Sequence, residues 1–132
     1  MADLELVTGL SKDFHAYSMW RKEPFDEYAV KSLLYNLIQS GGVFTNGSGF
    51  IAGMLVPAFF SPTLVTATEL AWWAPRGGGR ELRDSFERWS LDNGASMVQF
   101  AALADDNWEE VNNNLLLNGY KLAELSFVKR LK

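Results

Sequence analysis

The chain has 132 residues, 48% hydrophobic and 21% charged, with a net charge of −4; this is the size and balance of one globular domain, not of a disordered chain or a polyanion-coating protein. It has no Cys and a single His, His15, which excludes disulfide staples, thiolate catalysis and Cys-ligated zinc, and leaves no His-rich metal site within one chain. No apolar run approaches the roughly 20 residues of a membrane span, and the opening MADLELVTGL lacks the basic and apolar regions of a secretory signal, so a cytoplasmic protein with neither membrane nor nucleic acid as partner is expected.

No linker, repeat or low-complexity tract divides the chain, and a single domain over residues 1–132 is predicted. Residues 4–10 alternate weakly and predict a first strand. Over residues 25–40, Tyr28, Val30, Leu33, Leu34, Leu37 and Ile38 recur at helical spacing between Pro24 and Gly41-Gly42, which predicts a helix with its start and stop. Residues 43–44 and 50–60 are β-rich, with Asn46-Gly47-Ser48-Gly49 as the turn between them. Pro57 lies inside the second run, so an edge position or a bulge is expected there. Residues 63–74 (TLVTATELAWWA) make the strongest strand candidate, rich in β-branched and aromatic residues.

Three glycines follow, and then Leu82, Phe86 and Trp89 form the stripe of a helix predicted over 80–93, ended by Gly94. Residues 97–103 predict a short strand. Trp108, Val111, Leu115 and Leu116 predict a helix over 108–118, stopped by Asn118-Gly119. The acids Asp105, Asp106, Glu109 and Glu110 at its start suit the helix dipole, with a divalent-metal role as the sharper alternative. Residues 120–131 alternate like a last strand, one that could pair across a homodimer. The fold class is an α/β (α+β) mixture with a mixed sheet.

Gly77, Gly78 and Gly79 lie between the strongest strand and a helix, with Arg76, Arg80 and Arg83 in and beyond the run. Glycine lets the backbone curl and brings its N–H groups close to a ligand, and a helix start favours phosphate. The pattern is neither a Walker A loop, which needs Lys-Ser/Thr after the glycines, nor GxGxxG. On residues alone it reads equally as a phosphate cradle or as a glycine-rich turn with solvated arginines.

The run TELAWWAPRGGGRELRDSFERWSLDNGA, followed by a short strand, a helix and NGYKLAELSFVKRL, resembles the GNAT N-acetyltransferase superfamily, including small phage-encoded members. The resemblance covers residues 63–132; the N-terminal half agrees only in the order of its elements. It implies the GNAT fold, a central, mostly antiparallel twisted sheet flanked by helices. It also implies acetyl-CoA (acetyl-coenzyme A) as cosubstrate and direct transfer of the acetyl group to an amine of a protein or small molecule. The family's pyrophosphate loop, Q/R-x-x-G-x-G/A, would fall on Arg76, Gly77, Gly78, Gly79 and Arg80, and the pantetheine arm on the backbone of Ala71, Trp72 and Trp73. Two departures are visible: Ala74 stands where Gln or Arg is expected if Gly77 and Gly79 are the glycine pair, and Leu115 stands where a Tyr acid is common. With the thioester at that place, Glu69 is the only acid of the 63–74 strand and the candidate base. Tyr120 and Tyr35 are the candidate donors to the leaving thiolate. The alternatives are a GNAT-like module with weakened catalysis that binds a protein partner (a phage protein acting on host or virion) through Trp20, Phe25, Phe59 and Phe60, and a domain for another phosphorylated small molecule.

Overall fold

A computed structural model describes every residue of the chain except Asp106. The described residues form two compact units, Met1–Ala101 and Ala102–Lys132.

The first unit opens with helix α1 (Leu4–Tyr17), not with the expected strand. Four or five alternating residues are too short a window to separate period 2 from period 3.6. Over the whole segment Val7, Leu10 and Phe14 recur at helical spacing and turn inward. Asp3 caps the helix, its side chain accepting the Leu6 N–H at 3.2 Å. His15, in the last turn, packs its ring on Phe25 at 5.4 Å. Helix α2 (Glu27–Gln39) matches the prediction. Asp26 caps it through the Ala29 N–H at 3.0 Å, and Leu34, Leu37 and Ile38 form its buried stripe.

Strands β1 (Val43–Thr45), β2 (Phe50–Ala58) and β3 (Ser61–Trp73) form an antiparallel meander, and β4 (Met97–Gln99) joins β3 in parallel after helix α3 (Gly79–Asp92). Among the described residues the sheet is thus four-stranded, mixed and mostly antiparallel, in the order β1-β2-β3-β4. Pro57 behaves as its chemistry requires: the β2–β3 register shifts between Pro57 and Ala58, and β1 pairs only with residues 50–52 of β2, so no neighbour needs the missing N–H.

The sheet separates two apolar cores. On one face Val7, Leu10, Leu34, Leu37 and Ile38 of α1 and α2 pack on Val43, Phe50 and Ala52. On the other, Leu82 and Phe86 of α3 pack on Ile51 and Ala67, with Ala95 beside them. Gly53 lets α3 approach: a Cβ there would collide with the Phe86 ring and lie 2.5 Å from the Thr68 carbonyl oxygen.

The second unit contains α4 (Trp108–Leu117), with Glu109 and Glu110 in its first turn as the dipole favours. Asp106, part of the acidic run, lies outside the described residues, and among the described residues no three potential metal ligands cluster. Gly119 ends the helix at φ +88°, and the Tyr120 N–H donates to the Leu115 carbonyl at 3.1 Å, as in a Schellman cap. The last strand expected over residues 120–131 is not formed. Alternation specifies a face, but a strand needs a ladder of backbone partners as well.

Candidate functional site

The site grows from the place where β3 and β4 part. They pair in parallel at Thr66 with Met97, Ala67 with Val98 and Thr68 with Gln99, and the pairing stops there while β3 runs on to Trp73. Phe100 turns to pack against Trp72 and Phe86, at 5.1 and 5.9 Å between ring centroids. Beyond Thr68, β3 therefore presents backbone with no strand partner on its β4 side among the described residues.

A bulge falls in the same stretch. Ala52 pairs with Ala71 and Gly53 with Glu69, which leaves Leu70 as an extra residue. The bulge reverses the strand's alternation. Ala67 belongs to the α3 core, whereas Ala71 and Trp73 pack in the α1–α2 core and Trp72 in the α3 core. Both tryptophans are thus core residues on opposite faces; Trp73 stacks on Phe14 at 5.9 Å.

Glu69 lies between the end of the ladder and the bulge. Its burial raises the carboxyl from the ordinary 4.5 to about 8, and a hydrogen bond from the Ala101 backbone N–H opposes that rise. At neutral pH the group holds its proton, and once ionised it is a far stronger base than an ordinary carboxylate.

The glycine loop follows directly. The Gly77 N–H donates to the Ala74 carbonyl at 3.2 Å, closing a turn around Pro75 and Arg76. Gly77 and Gly78 then adopt φ +91° and +82°, the left-handed region that a side chain would oppose. Two side chains hold the loop by its carbonyls. Asn46 Nδ2, from the β1–β2 turn, donates to the Gly77 oxygen at 3.2 Å, and Trp72 Nε1 donates to the Gly79 oxygen at 3.1 Å. In a trans peptide the C=O and the next N–H point in opposite directions. Anchoring the Gly77 and Gly79 carbonyls against the protein therefore turns the N–H groups of Gly78 and Arg80 away from Asn46 and Trp72.

Helix α3 begins at this loop with Gly78 as its cap residue and no side-chain cap. Its first N–H groups and the positive end of its dipole make a site for an anion. Arg76 and Arg80 are exposed beside it. Arg83 is not a third arm: it is buried, with Asp84 Oδ1 at 3.2 Å and Glu87 Oε1 at 3.7 Å.

The first unit thus brings together Glu69, Ala71, Trp72, Trp73, Arg76, Gly77, Gly78, Gly79 and Arg80 along one continuous strand–loop–helix segment. Tyr35 lies half exposed on α2, and Tyr120 belongs to the second unit. Two participants escaped the sequence: Ala101, whose role is a backbone N–H, and Asn46, which reads as turn chemistry and contacts a residue 31 positions away. An open groove of about 470 Å³ between β1 and α3 is lined by Phe44, Asp84, Ser85, Arg88, Trp89 and Asp92, its α3 side farther along that helix than the site residues, which end at Arg80.

No protein-family model and no curated protein matches the sequence. Solved structures do match its fold. The aminoglycoside acetyltransferase AAC(6')-Iy, in complex with a bisubstrate analog of CoA and acetylneamine, superposes with a TM-score of 0.67 at 16% identity, over 98% of this chain and 91% of that one. The ribosomal-protein-alanine N-acetyltransferase of Brucella melitensis biovar Abortus 2308 gives 0.67 at 16% identity, over 98% and 93%. A putative acetyl transferase from Pyrococcus furiosus gives 0.62 at 18% identity, over 97% and 93%. At such identities the likeness is one of fold, and the fold is that of the GNAT acetyltransferases.

Proposed function

We propose that this protein is an acetyl-CoA-dependent N-acetyltransferase that transfers the acetyl group directly to an amine. The observation that carries the reading is the conjunction of three features on one segment: an unpaired strand edge, a glycine loop whose N–H groups are turned outward, and a helix start without a cap. An acyl group on a long pantetheine arm, tethered to a diphosphate, matches all three. The strand edge takes the amide-bearing arm as a further strand would be taken, and the loop and helix start take the diphosphate. AAC(6')-Iy has been solved with CoA, which agrees with this assignment.

The chemistry asked of the chain is modest. The acceptor amine loses a proton, its nitrogen attacks the thioester carbon, and the carbon–sulfur bond breaks to leave a thiolate that takes up a proton. Glu69 is assigned the first step, directly or through one water, since its raised pKa brings it close to the range of an ammonium group. Backbone N–H groups at the bulge, around Leu70 and Ala71, are assigned to the carbonyl oxygen. Tyr35 and Tyr120 stay the two candidate donors of the thiolate's proton on the chemistry of the phenol alone, since Leu115 occupies the position where a Tyr acid is common in the resembled family. The test is calorimetric titration with acetyl-CoA, with ATP and NAD as controls. Micromolar binding of acetyl-CoA alone supports the reading, and binding of none of the three removes it.

A second reading is a module that retains the fold and binds a protein partner. Phe59 and Phe60, 89% and 94% exposed at the tip of the β2–β3 hairpin, favour it. Robust acetylation of an amine panel by a Phe59→Ser, Phe60→Ser variant would remove it.

A further inference from the structure

We infer that Asn46 is a positioning residue for the diphosphate-binding loop, an inference that rests on the assignment of coenzyme A to that loop. The Asn46 carboxamide has two occupations. Its Oδ1 accepts the Gly49 N–H at 2.8 Å, the Ser48 N–H at 3.1 Å and the Ser48 hydroxyl at 3.2 Å, which fixes the β1–β2 turn. Three donors on one oxygen settle the orientation of the amide, so the Nδ2 group must be the one facing Gly77. That Nδ2 donates to the Gly77 carbonyl across 31 residues of sequence. A turn on one hairpin is thereby tied to a loop at the end of another.

Two consequences identify the contact as more than turn chemistry. The anchored Gly77 carbonyl aims the Gly78 N–H in the opposite direction, outward at the uncapped start of α3. Moreover, a Cβ at Gly78 would run into Asn46 Nδ2 itself. The asparagine thus occupies the space beside the glycine while holding the peptide that precedes it. Without the Asn46 donor, that carbonyl is free to rotate, and the N–H leaves the anion's position.

The experiment compares wild type, Asn46→Asp, Asn46→Ala and Ser85→Asp by titration with coenzyme A, inorganic pyrophosphate and pantetheine, each with a melting curve. Asn46→Asp keeps the oxygen that holds the turn and replaces the donor with a second acceptor facing the Gly77 oxygen. Its melting temperature is expected to stay at the wild-type value. Its affinity for coenzyme A and for pyrophosphate is expected to fall at least tenfold, with pantetheine unchanged. Ser85→Asp puts the same charge on the exposed side of α3, on a residue outside the Asn46 and Gly77 hydrogen bonds, and less than a threefold loss is expected. Equal losses in the two aspartate variants, or wild-type coenzyme A affinity in both Asn46 variants, would overturn the inference and leave the coenzyme A assignment standing. Pyrophosphate binding that Asn46→Asp abolishes, in a protein that ignores coenzyme A, would uphold the role of Asn46 and overturn that assignment. A wild type that binds neither overturns both.

Discussion

The carboxyl group of Glu69, one residue past Thr68, accepts the backbone N–H of Ala101, two residues past Gln99, where Thr68 and Gln99 are the last β3–β4 pair. A side chain here takes over a donor that the sheet ladder has just released. The same divergence that opens a strand edge to a ligand thus places a carboxyl group beside it, and burial there raises that group to about 8.

Glu69→Gln keeps the shape and removes the base. Turnover is expected to fall about 10²- to 10³-fold with coenzyme A affinity within twofold of wild type. The pH profile is the sharper measurement. Wild-type kcat/KM should rise with pH and level off above about 8, as Glu69 loses its proton, whereas the Gln variant should lack that limb. An unchanged profile in the variant assigns the base elsewhere.

The same group links stability to pH. Between the ordinary value of 4.5 and about 8, the folded protein binds a proton on Glu69 that the unfolded chain does not. This group's contribution is therefore fully present below 4.5 and is lost as pH rises through 8. Relative to Glu69→Gln, the wild type should lose about 1–3 kcal/mol between pH 5 and pH 9, read as the difference between two urea-unfolding series.

Gly78→Val combines a left-handed backbone, φ +82°, with a collision at Asn46. Coenzyme A affinity is expected to fall about 30-fold or more, the cost of left-handed strain plus a displaced anchor. In an Asn46→Ala background the same change should cost less, because the collision is already relieved. Strict additivity in that cycle would show that the two residues act separately.

Gly53→Ala tests the packing of α3 on the sheet. The new methyl group meets the Phe86 ring and the Thr68 carbonyl, and a backbone oxygen in a ladder cannot step aside. A destabilisation of about 2–4 kcal/mol by urea unfolding is expected. A loss below about 1 kcal/mol would mean that Phe86 repacks without cost.

Much of the frame was legible in the residues because its signals are local. Pro24 and Gly41-Gly42 bracket α2, Asn46 to Gly49 turns the first hairpin, and three glycines follow the one long β-branched strand. Two elements were misread for opposite reasons. Residues 4–10 were too few to reveal a helical period that Val7, Leu10 and Phe14 make plain together. Residues 120–131 alternate well, but alternation says nothing about whether a ladder partner is present. Within the site, the Gly77 to Gly79 run could be found from composition, whereas the Asn46–Gly77 bond, the Trp72–Gly79 bond and the Ala101 N–H depend on tertiary proximity.

The extra residue at Leu70 makes β3 two half-strands joined out of phase. In the first half odd-numbered positions face α3, and in the second the even ones do, as Ala67 and Trp72 show. Because Leu70 stands unpaired between Glu69, opposite Gly53, and Ala71, opposite Ala52, removing it alone would restore regular alternation and leave Trp72 beside Gly79 and Trp73 on Phe14. What the extra residue supplies is the break in the β2–β3 ladder beside Glu69, not the anchoring of the glycine loop: a substitution at Leu70 should keep that break, whereas its deletion should close it.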